Sequence, residues 1–218
     1  MLRPYVFFDL DGTLSDPAPG ICGSVQYALR KGGYAVEPLE AYFSWIGPPL
    51  LGSFEDYLRC DRAEAERLVA LYRERFSVTG LFENTVYPGI PELLRDLKAS
   101  GCRIALATGK PTVYARRILE HFAILDCFDF VSGTELEGEP LSKHGVIDVA
   151  MAALGVTDPG LCIMVGDRFH DVEGAALSRM ESIMVLYGYG DAEEAARCGA
   201  TYTAESVDAL RALLFQNE

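Results

Sequence analysis

The chain of 218 residues is long enough for one large domain, or for a domain that carries a small insertion. Half of its residues are hydrophobic and 23% are charged, a balance that is typical of a globular protein with a sizeable core and that excludes a disordered chain. The formal net charge of −13 repels phosphate backbones and anionic lipid, so the sequence predicts no nucleic-acid partner.

The longest apolar runs have the length of strands and fall short of the roughly 18 residues that a membrane-spanning helix needs. The sequence therefore predicts no membrane partner. Met1–Pro4 leads directly into an apolar segment and lacks the pattern of an export signal, which predicts a soluble cytoplasmic protein. The six cysteines contain no Cys-x-x-Cys pair, and we interpret them as buried reduced thiols.

Strand-like and helix-like segments alternate along most of the chain. The predicted strands are Tyr5–Phe8, Arg103–Ala107, Phe128–Val131, Leu161–Val165 and Ser182–Leu186. Segments with apolar residues at helical spacing lie between them and after them. Because parallel neighbouring strands need crossover connections, this alternation predicts an α/β fold with a doubly wound parallel sheet and helices on both faces.

Residues 15–86 interrupt the alternation and contain no convincing strand. One helical stripe in this segment ends at Gly32–Gly33, a helix is predicted from Pro38 to Gly47, and Asp61–Glu64 is typical of a helix start. Glycine and proline occur at both borders of the segment, as in linkers. The sequence thus predicts an α/β core of residues 1–14 and 87–218 with an inserted all-helical domain of residues 15–86.

Polar side chains follow three of the predicted strands. A lysine begins the helix that follows a fourth predicted strand, Phe128–Val131. The segments are Asp9-Leu10-Asp11-Gly12-Thr13, Thr108-Gly109-Lys110, Gly166-Asp167-Arg168-Phe169-His170-Asp171, and Lys143. Ligands of open parallel sheets bind beyond the carboxyl ends of the strands. We therefore expect these groups to converge on one edge of the sheet.

Four carboxylates gathered there, those of Asp9, Asp11, Asp167 and Asp171, would raise one another's pKa values or require a counter-ion. Oxygen ligands without neighbouring Cys or His pairs favour Mg²⁺ over Zn²⁺. A cation beside a lysine and a threonine suits phosphoryl transfer, because the transferring oxygens need all three kinds of donor. A carboxylate nucleophile that forms an acyl phosphate is an available route.

These residues resemble, in order and spacing across the whole chain, the four motifs of the haloacid dehalogenase-like phosphohydrolase superfamily. The helical insert resembles the cap of the branch that contains phosphoglycolate phosphatase and β-phosphoglucomutase. Trp45-Ile46-Gly47-Pro48-Pro49-Leu50, with Ala107–Pro111 and Met164–Arg168, is most similar to bacterial phosphoglycolate-phosphatase-like and 5′-nucleotidase-like members. The resemblance implies a Rossmannoid core with a helical cap and a Mg²⁺-dependent phosphatase that acts on a small phosphate ester.

The resemblance also implies roles for the two aspartates of the first motif. Asp9 would attack phosphorus and bind Mg²⁺. Asp11 would protonate the leaving oxygen and then activate water, while its backbone carbonyl binds the metal. Members that remove halogen from carbon lack this second aspartate, so Asp11 favours phosphate esters.

The other motif residues would hold the phosphoryl group and the metal. The resemblance implies that Thr108, Gly109 and Lys143 bind the phosphoryl oxygens. It further implies that Asp167 binds Mg²⁺ directly and that Asp171 binds it through water.

Alternatives remain open for two basic residues and one loop. We favour Lys143 over Lys110 as the phosphate ligand, because Lys110 follows Thr108 too closely to reach back and is expected on substrate or in solvent. Arg168 either lies at the surface or touches substrate. The segment Gly47, Pro48, Pro49 is either a turn between helices or part of substrate recognition, since such loops lie over the site in capped relatives.

The resemblance leaves several functions to be distinguished. Phosphoglycolate is the first predicted substrate, and a nucleoside 5′-monophosphate is the alternative. A phosphomutase would keep the same motifs but retain a bisphosphate intermediate, and a non-catalytic phosphate-binding protein is a further alternative. The sequence does not indicate an oligomeric state.

Overall fold

The structure, a computed structural model, describes residues 3–136 and 141–215. The chain divides into two units: unit 1 comprises Met1–Ser15 with Val86–Glu218, and unit 2 comprises Asp16–Thr85. Residues 1–2, 137–140 and 216–218 of the predicted core lie outside the described residues. Within the described part of the chain, no helix combines the length and the apolar character that crossing a membrane requires.

Unit 1 is built on a parallel sheet of six strands in the order β5-β4-β1-β6-β7-β8. The strands of the chain are β1 (Tyr5–Phe8), β2 (Ser15–Asp16), β3 (Thr85–Val86), β4 (Arg103–Pro111), β5 (Phe130–Thr134), β6 (Cys162–Gly166), β7 (Glu181–Val185) and β8 (Tyr202–Ala204). The short strands β2 and β3 lie where the chain passes from one unit to the other. The central strand β1 has Val6, Phe7 and Phe8 fully buried, as expected for a parallel sheet covered on both faces.

Helices alternate with the strands of unit 1, as the sequence predicts. The helices of the chain are α1 (Ala18–Gly32), α2 (Leu50–Leu58), α3 (Arg62–Arg75), α4 (Ile90–Ala99), α5 (Thr112–His121), α6 (Lys143–Leu154), α7 (Phe169–Leu177), α8 (Ala192–Cys198) and α9 (Val207–Phe215). Ser142 caps α6 by accepting a hydrogen bond from the backbone N–H of Gly145 at 3.1 Å. Lys143 is therefore the first residue of α6, and the sequence predicts it at the start of this helix.

Unit 1 departs from the predicted elements in three strands. Strand β5 runs from Phe130 to Thr134, whereas the prediction was Phe128–Val131, because Phe128 directly follows the 3₁₀ turn Leu125–Cys127. Strand β4 continues past Ala107 to Pro111, because a register shift against β5 lets the polar residues 108–110 stay in the strand. The edge strand β8 was missed, since Tyr202 and Thr203 are exposed and the segment lacks a buried apolar run.

Unit 2 is helical between its terminal residues. A 3₁₀ helix at Leu39–Trp45 replaces the longer helix predicted to start at Pro38, and a π-helical turn at Phe76–Gly80 follows α3. Asp61 caps α3, as predicted, by accepting a hydrogen bond from the N–H of Glu64 at 2.9 Å. The edge-to-face pair of Trp45 with Phe54, at 4.9 Å between ring centroids, lies in the core of this unit.

All six cysteines are free thiols, which agrees with the expected reduced state. Four of them are buried: Cys22, Cys102, Cys127 and Cys162. Cys60 and Cys198 are only partly buried; Cys60 lies between α2 and α3, and Cys198 is the last residue of α8.

Candidate active site

Three strands of unit 1 end side by side at the place where polar residues follow them. Phe8 of β1 is paired with Leu106 of β4 and with Val165 of β6. The backbone N–H of Asp9 continues this register by donating to the Val165 carbonyl at 2.9 Å. The chain runs outward from β1 in both directions across the sheet, so the crevice in which open α/β sheets bind ligands lies at these strand ends.

Three carboxylates meet at this crevice. One carboxylate oxygen from each of Asp9, Asp167 and Asp171 lies within 4.8 Å of the other two. Asp9 follows β1, Asp167 follows β6, and Asp171 lies in the first turn of α7, so the sheet register and the start of one helix bring them together. This cluster is the convergence that the sequence predicts for those three residues.

Lys143 joins two of the three carboxylates. Its Nζ lies 2.9 Å from Oδ1 of Asp9 and 2.8 Å from Oδ1 of Asp171, and it donates to the carbonyl of Ala107 at 3.1 Å. Burial by itself lowers the pKa of Lys143, but Asp171 and Asp9 offset this and hold the net pKa above its usual value. The lysine is therefore a fixed cation inside the cluster.

The electrostatics of the cluster favour an added cation. Burial raises the pKa of Asp167 well above its usual value, and the charges of Asp171 and Asp9 raise it further. Burial also raises the pKa of Asp171, although Lys143 opposes the shift. Three carboxylates against one ammonium group leave negative charge in a buried space, and a hard divalent ion with oxygen ligands fits that donor set.

Asp11 does not belong to this cluster of three, and it pairs with Lys110. Nζ of Lys110 lies 2.7 Å from Oδ2 of Asp11, and both side chains are largely buried. The expectation that Lys110 cannot reach back is wrong, because β4 extends through this residue and directs its side chain into the crevice. Burial raises the pKa of Asp11, and Lys110 opposes the shift.

The remaining residues predicted to hold phosphate lie in β4. Thr108 is buried, and its Oγ1 accepts a hydrogen bond from the N–H of Lys110 at 3.3 Å. Gly109 is exposed, and its carbonyl accepts from Oγ1 of Thr134 at 3.1 Å. Both residues lie at the end of β4 next to Ala107, whose carbonyl binds Lys143.

Sequence reasoning missed the segment after β7 that encloses Asp167. Oδ2 of Asp167 accepts a hydrogen bond from the backbone N–H of Tyr189 at 2.8 Å. A β-carbon at Gly188 would lie 2.3 Å from the carbonyl of Gly12 and 2.5 Å from Cβ of Asp167. The signal available in the sequence was the pair Gly188 and Gly190, which lies shortly after β7 of the parallel sheet.

The sequence also left unassigned an ion pair beside Asp167. Nε of Arg168 lies 3.0 Å from Oε1 of Glu194, and the same carboxylate accepts from the backbone N–H of Phe169 at 2.7 Å. Glu194 therefore fixes the start of α7, which carries Asp171.

The predicted specificity residues Gly47, Pro48 and Pro49 lie in unit 2, whereas the carboxylates lie in unit 1. Pro48 and Pro49 line a surface cleft of unit 2 together with Trp45 and Tyr57. Gly47 has a φ of 103°, a left-handed conformation that favours glycine at the turn before α2.

Comparison with known proteins identifies the family to which this fold and its clustered carboxylates belong. Residues 5–178 match the family model of the haloacid dehalogenase-like hydrolases. The chain therefore belongs to this family.

Curated relatives and solved structures agree with this assignment. The chain is 42% identical over 211 residues to a 5′-nucleotidase of Pseudomonas aeruginosa, with 97% of this chain and 95% of the relative covered. It is 38% identical to the tyrosine-protein kinase PtkA of Mycobacterium tuberculosis, with 96% and 72% covered, and 31% identical to a phosphoglycolate phosphatase of Pseudomonas putida, with 96% and 78% covered.

Among solved structures, the crystal structure of a predicted phosphatase from Clostridium acetobutylicum superposes with a TM-score of 0.93 at 43% identity, covering 98% of this chain and 99% of that one. The family and these phosphatase relatives assign the chain to the phosphatases of the haloacid dehalogenase type.

Proposed function

We propose that this phosphatase hydrolyses a small phosphomonoester with Mg²⁺ through an aspartyl-phosphate intermediate on Asp9. The observation that carries the proposal is the meeting of Asp9, Asp167 and Asp171 at the strand ends, where Nζ of Lys143 pairs with Asp9 and Asp171. A buried site with two to three negative charges and one fixed ammonium group suits a divalent cation together with a phosphoryl group.

The first half-reaction uses both aspartates of the first motif. A carboxylate oxygen of Asp9 attacks phosphorus while the bond from phosphorus to the leaving oxygen breaks. Asp11 gives its proton to that oxygen, so that the alcohol leaves neutral. Asp9 is supported for this role because it lies directly beyond β1 with one oxygen already held by Lys143.

The second half-reaction restores the enzyme. Asp11, now a carboxylate, takes a proton from water, and the water oxygen attacks phosphorus as the bond to Asp9 breaks. Inorganic phosphate is released, and Asp11 is protonated again. Thr108, Gly109 and Lys143 hold the phosphoryl oxygens through both steps.

In this proposal Asp9, Asp167 and the backbone carbonyl of Asp11 would hold Mg²⁺, and Asp171 would hold it through water. When bound, the ion supplies positive charge next to the phosphoryl oxygens and lowers the cost of transferring them.

We propose a nucleoside 5′-monophosphate as the first substrate to test and phosphoglycolate as the second. The greater identity to the Pseudomonas 5′-nucleotidase, over nearly the whole of both chains, favours this order over the one that the sequence suggests. Unit 2 interrupts unit 1 in the sequence, and we propose that it serves as the cap, with Gly47, Pro48 and Pro49 contributing to substrate choice.

The test is phosphate release from adenosine 5′-monophosphate, phosphoglycolate and β-glucose 1-phosphate, with Mg²⁺ and with EDTA. We expect turnover with Mg²⁺ that stops in EDTA and in Asp9→Asn, and that persists in Asp208→Asn, which changes an exposed aspartate of α9. Full turnover in Asp9→Asn would refute the nucleophile, and full turnover in EDTA would refute the metal. Isomerised sugar phosphate without free phosphate would favour a phosphomutase.

A further inference from the structure

Lys110 and Asp11 form a buried pair that the motif roles do not use. Oδ2 of Asp11 lies 2.7 Å from Nζ of Lys110, whose side chain is only 6% exposed. The other carboxylate oxygen of Asp11, Oδ1, is buried and has no hydrogen-bond partner among the described residues. The two oxygens of Asp11 are therefore in different environments.

The backbone around Lys110 is fixed from several sides. Its N–H donates to Oγ1 of Thr108 at 3.3 Å, and the Gly109 carbonyl before it accepts from Oγ1 of Thr134. A β-carbon at Gly133 would lie 2.4 Å from the carbonyl of Lys110, so β5 approaches this segment too closely for any side chain there. These contacts fix the backbone position from which the Lys110 side chain reaches Asp11.

We propose that Lys110 is a positioning residue that holds Oδ2 of Asp11 and thereby presents Oδ1 as the oxygen that exchanges the proton with the leaving group and with water. The inference rests on the proposed function, in which Asp11 transfers that proton. No bond to phosphorus is made or broken by Lys110, and its ammonium group keeps its own protons.

The geometry separates Lys110 from the phosphate-binding lysine. Lys143 pairs with Asp9 and Asp171, the carboxylates next to the expected phosphoryl group, whereas the ion pair of Lys110 goes to Asp11. A lysine that acts through Asp11 should matter most for esters whose leaving group needs a proton.

A matched pair of aryl esters tests this dependence. Phenyl phosphate releases a phenol like that of tyrosine, with a pKa of about 10, whereas p-nitrophenolate leaves readily without a proton. We expect Lys110→Met to lower kcat/KM for phenyl phosphate by at least about tenfold, within the range of general acid catalysis. The loss for p-nitrophenyl phosphate should stay below about threefold, and Lys98→Met, at an exposed lysine of α4, should change neither value.

A double-mutant cycle then shows whether Lys110 acts through Asp11. In an Asp11→Asn background, Lys110→Met should change kcat/KM for phenyl phosphate by less than about twofold, because the group that it positions is gone. An undiminished loss in that background, or equal losses for both esters in the native background, would overturn the proposal. Circular dichroism shows whether Lys110→Met is folded. If it is not, Lys110→Gln is used in its place.

Failure of the proposed function gives a different result. If the native enzyme with Mg²⁺ releases no phosphate from adenosine 5′-monophosphate, phosphoglycolate or either aryl ester, the proposed function is refuted and the positioning role falls with it. If the native enzyme turns over and Lys110→Met matches it on both esters, only the positioning role is refuted.

Discussion

A β-carbon at Gly12 would lie 2.0 Å from Oδ2 of Asp167, so these two residues share a space that admits only a hydrogen atom. Gly12 also has a φ of 79°, in the left-handed region that side chains disfavour by about 1–2 kcal/mol. The glycine of the first motif therefore permits the carboxylate after β6 to approach the strand-end crevice.

The change Gly12→Ala should displace Asp167 and weaken the metal site. We expect the rise in melting temperature on adding Mg²⁺ to fall to less than half of its native size, with kcat/KM lowered by about 100-fold, comparable to the loss of one transition-state contact. Thermal unfolding with Mg²⁺ and with EDTA measures the first effect.

Gly33→Ala is the matched control for backbone strain. Gly33 has a φ of 90°, but a β-carbon there would have no neighbour within 4 Å. This variant should lose a similar 1–2 kcal/mol of stability and keep its full response to Mg²⁺. An unchanged Mg²⁺ response in Gly12→Ala would contradict the close approach to Asp167.

Asp167→Asn should stabilise the metal-free protein. Asn keeps an oxygen that can accept the hydrogen bond from Tyr189, and it removes a buried charge that Asp9 and Asp171 repel. In EDTA at neutral pH, a gain of about 1 kcal/mol would raise the melting temperature by about 2–4 °C. The same variant should lose the Mg²⁺ response, and a lower melting temperature in EDTA would argue against the repulsion.

The stabilisation by Asp167→Asn should depend on pH. Burial, with Asp171 and Asp9, raises the folded-state pKa of Asp167 above its unfolded value, so between these two pKa values the folded state holds more protons. The contribution of Asp167 to the free energy of unfolding of the metal-free native protein therefore falls as pH rises through that window. Unfolding in EDTA should show a smaller difference between variant and native protein near pH 4 than near pH 7. A difference that does not change with pH would contradict the raised pKa.

Much of the fold could be predicted because its signals are local. The apolar run at Tyr5–Phe8 and the cap at Asp61 depend on neighbouring residues alone, and the structure has both as predicted. The edge strand β8 could not be predicted this way, because Tyr202 and Thr203 are exposed and the strand forms through pairing with β7.

The same distinction applies to the site. Asp9, Asp167 and Asp171 could be placed together because parallel strands end at one edge of the sheet. The ion pair of Lys110 with Asp11 could not be predicted, since it depends on the register shift between Ala107 and Pro111. The enclosure of Asp167 by Gly188 likewise depends on contact between segments far apart in the sequence.

Substitution in the loop of unit 2 should alter substrate choice and leave chemistry intact. If this loop contributes to recognition, Pro48→Ala should change the ratio of kcat/KM for adenosine 5′-monophosphate and phosphoglycolate by about 3–10-fold, a shift of about 1 kcal/mol. The matched control is Pro159→Ala, at the start of a 3₁₀ helix in unit 1. If the ratio of kcat/KM for the two substrates is the same in Pro48→Ala and in the native enzyme, the loop is only a turn between helices and has no part in substrate recognition.

Lys143→Met should give opposite effects on stability and on the response to metal. Breaking a buried ion pair leaves Asp9 and Asp171 without their cation, which costs about 3–5 kcal/mol and lowers the melting temperature in EDTA. Mg²⁺ then neutralises more uncompensated charge, so its stabilising effect should be larger than in the native protein, while kcat/KM falls at least about 100-fold. Lys31→Met removes an exposed pair with Glu74, so it should leave both the melting temperature in EDTA and the Mg²⁺ response close to those of the native protein. A smaller Mg²⁺ response in Lys143→Met would show that Lys143 does not compete with the metal for the carboxylates.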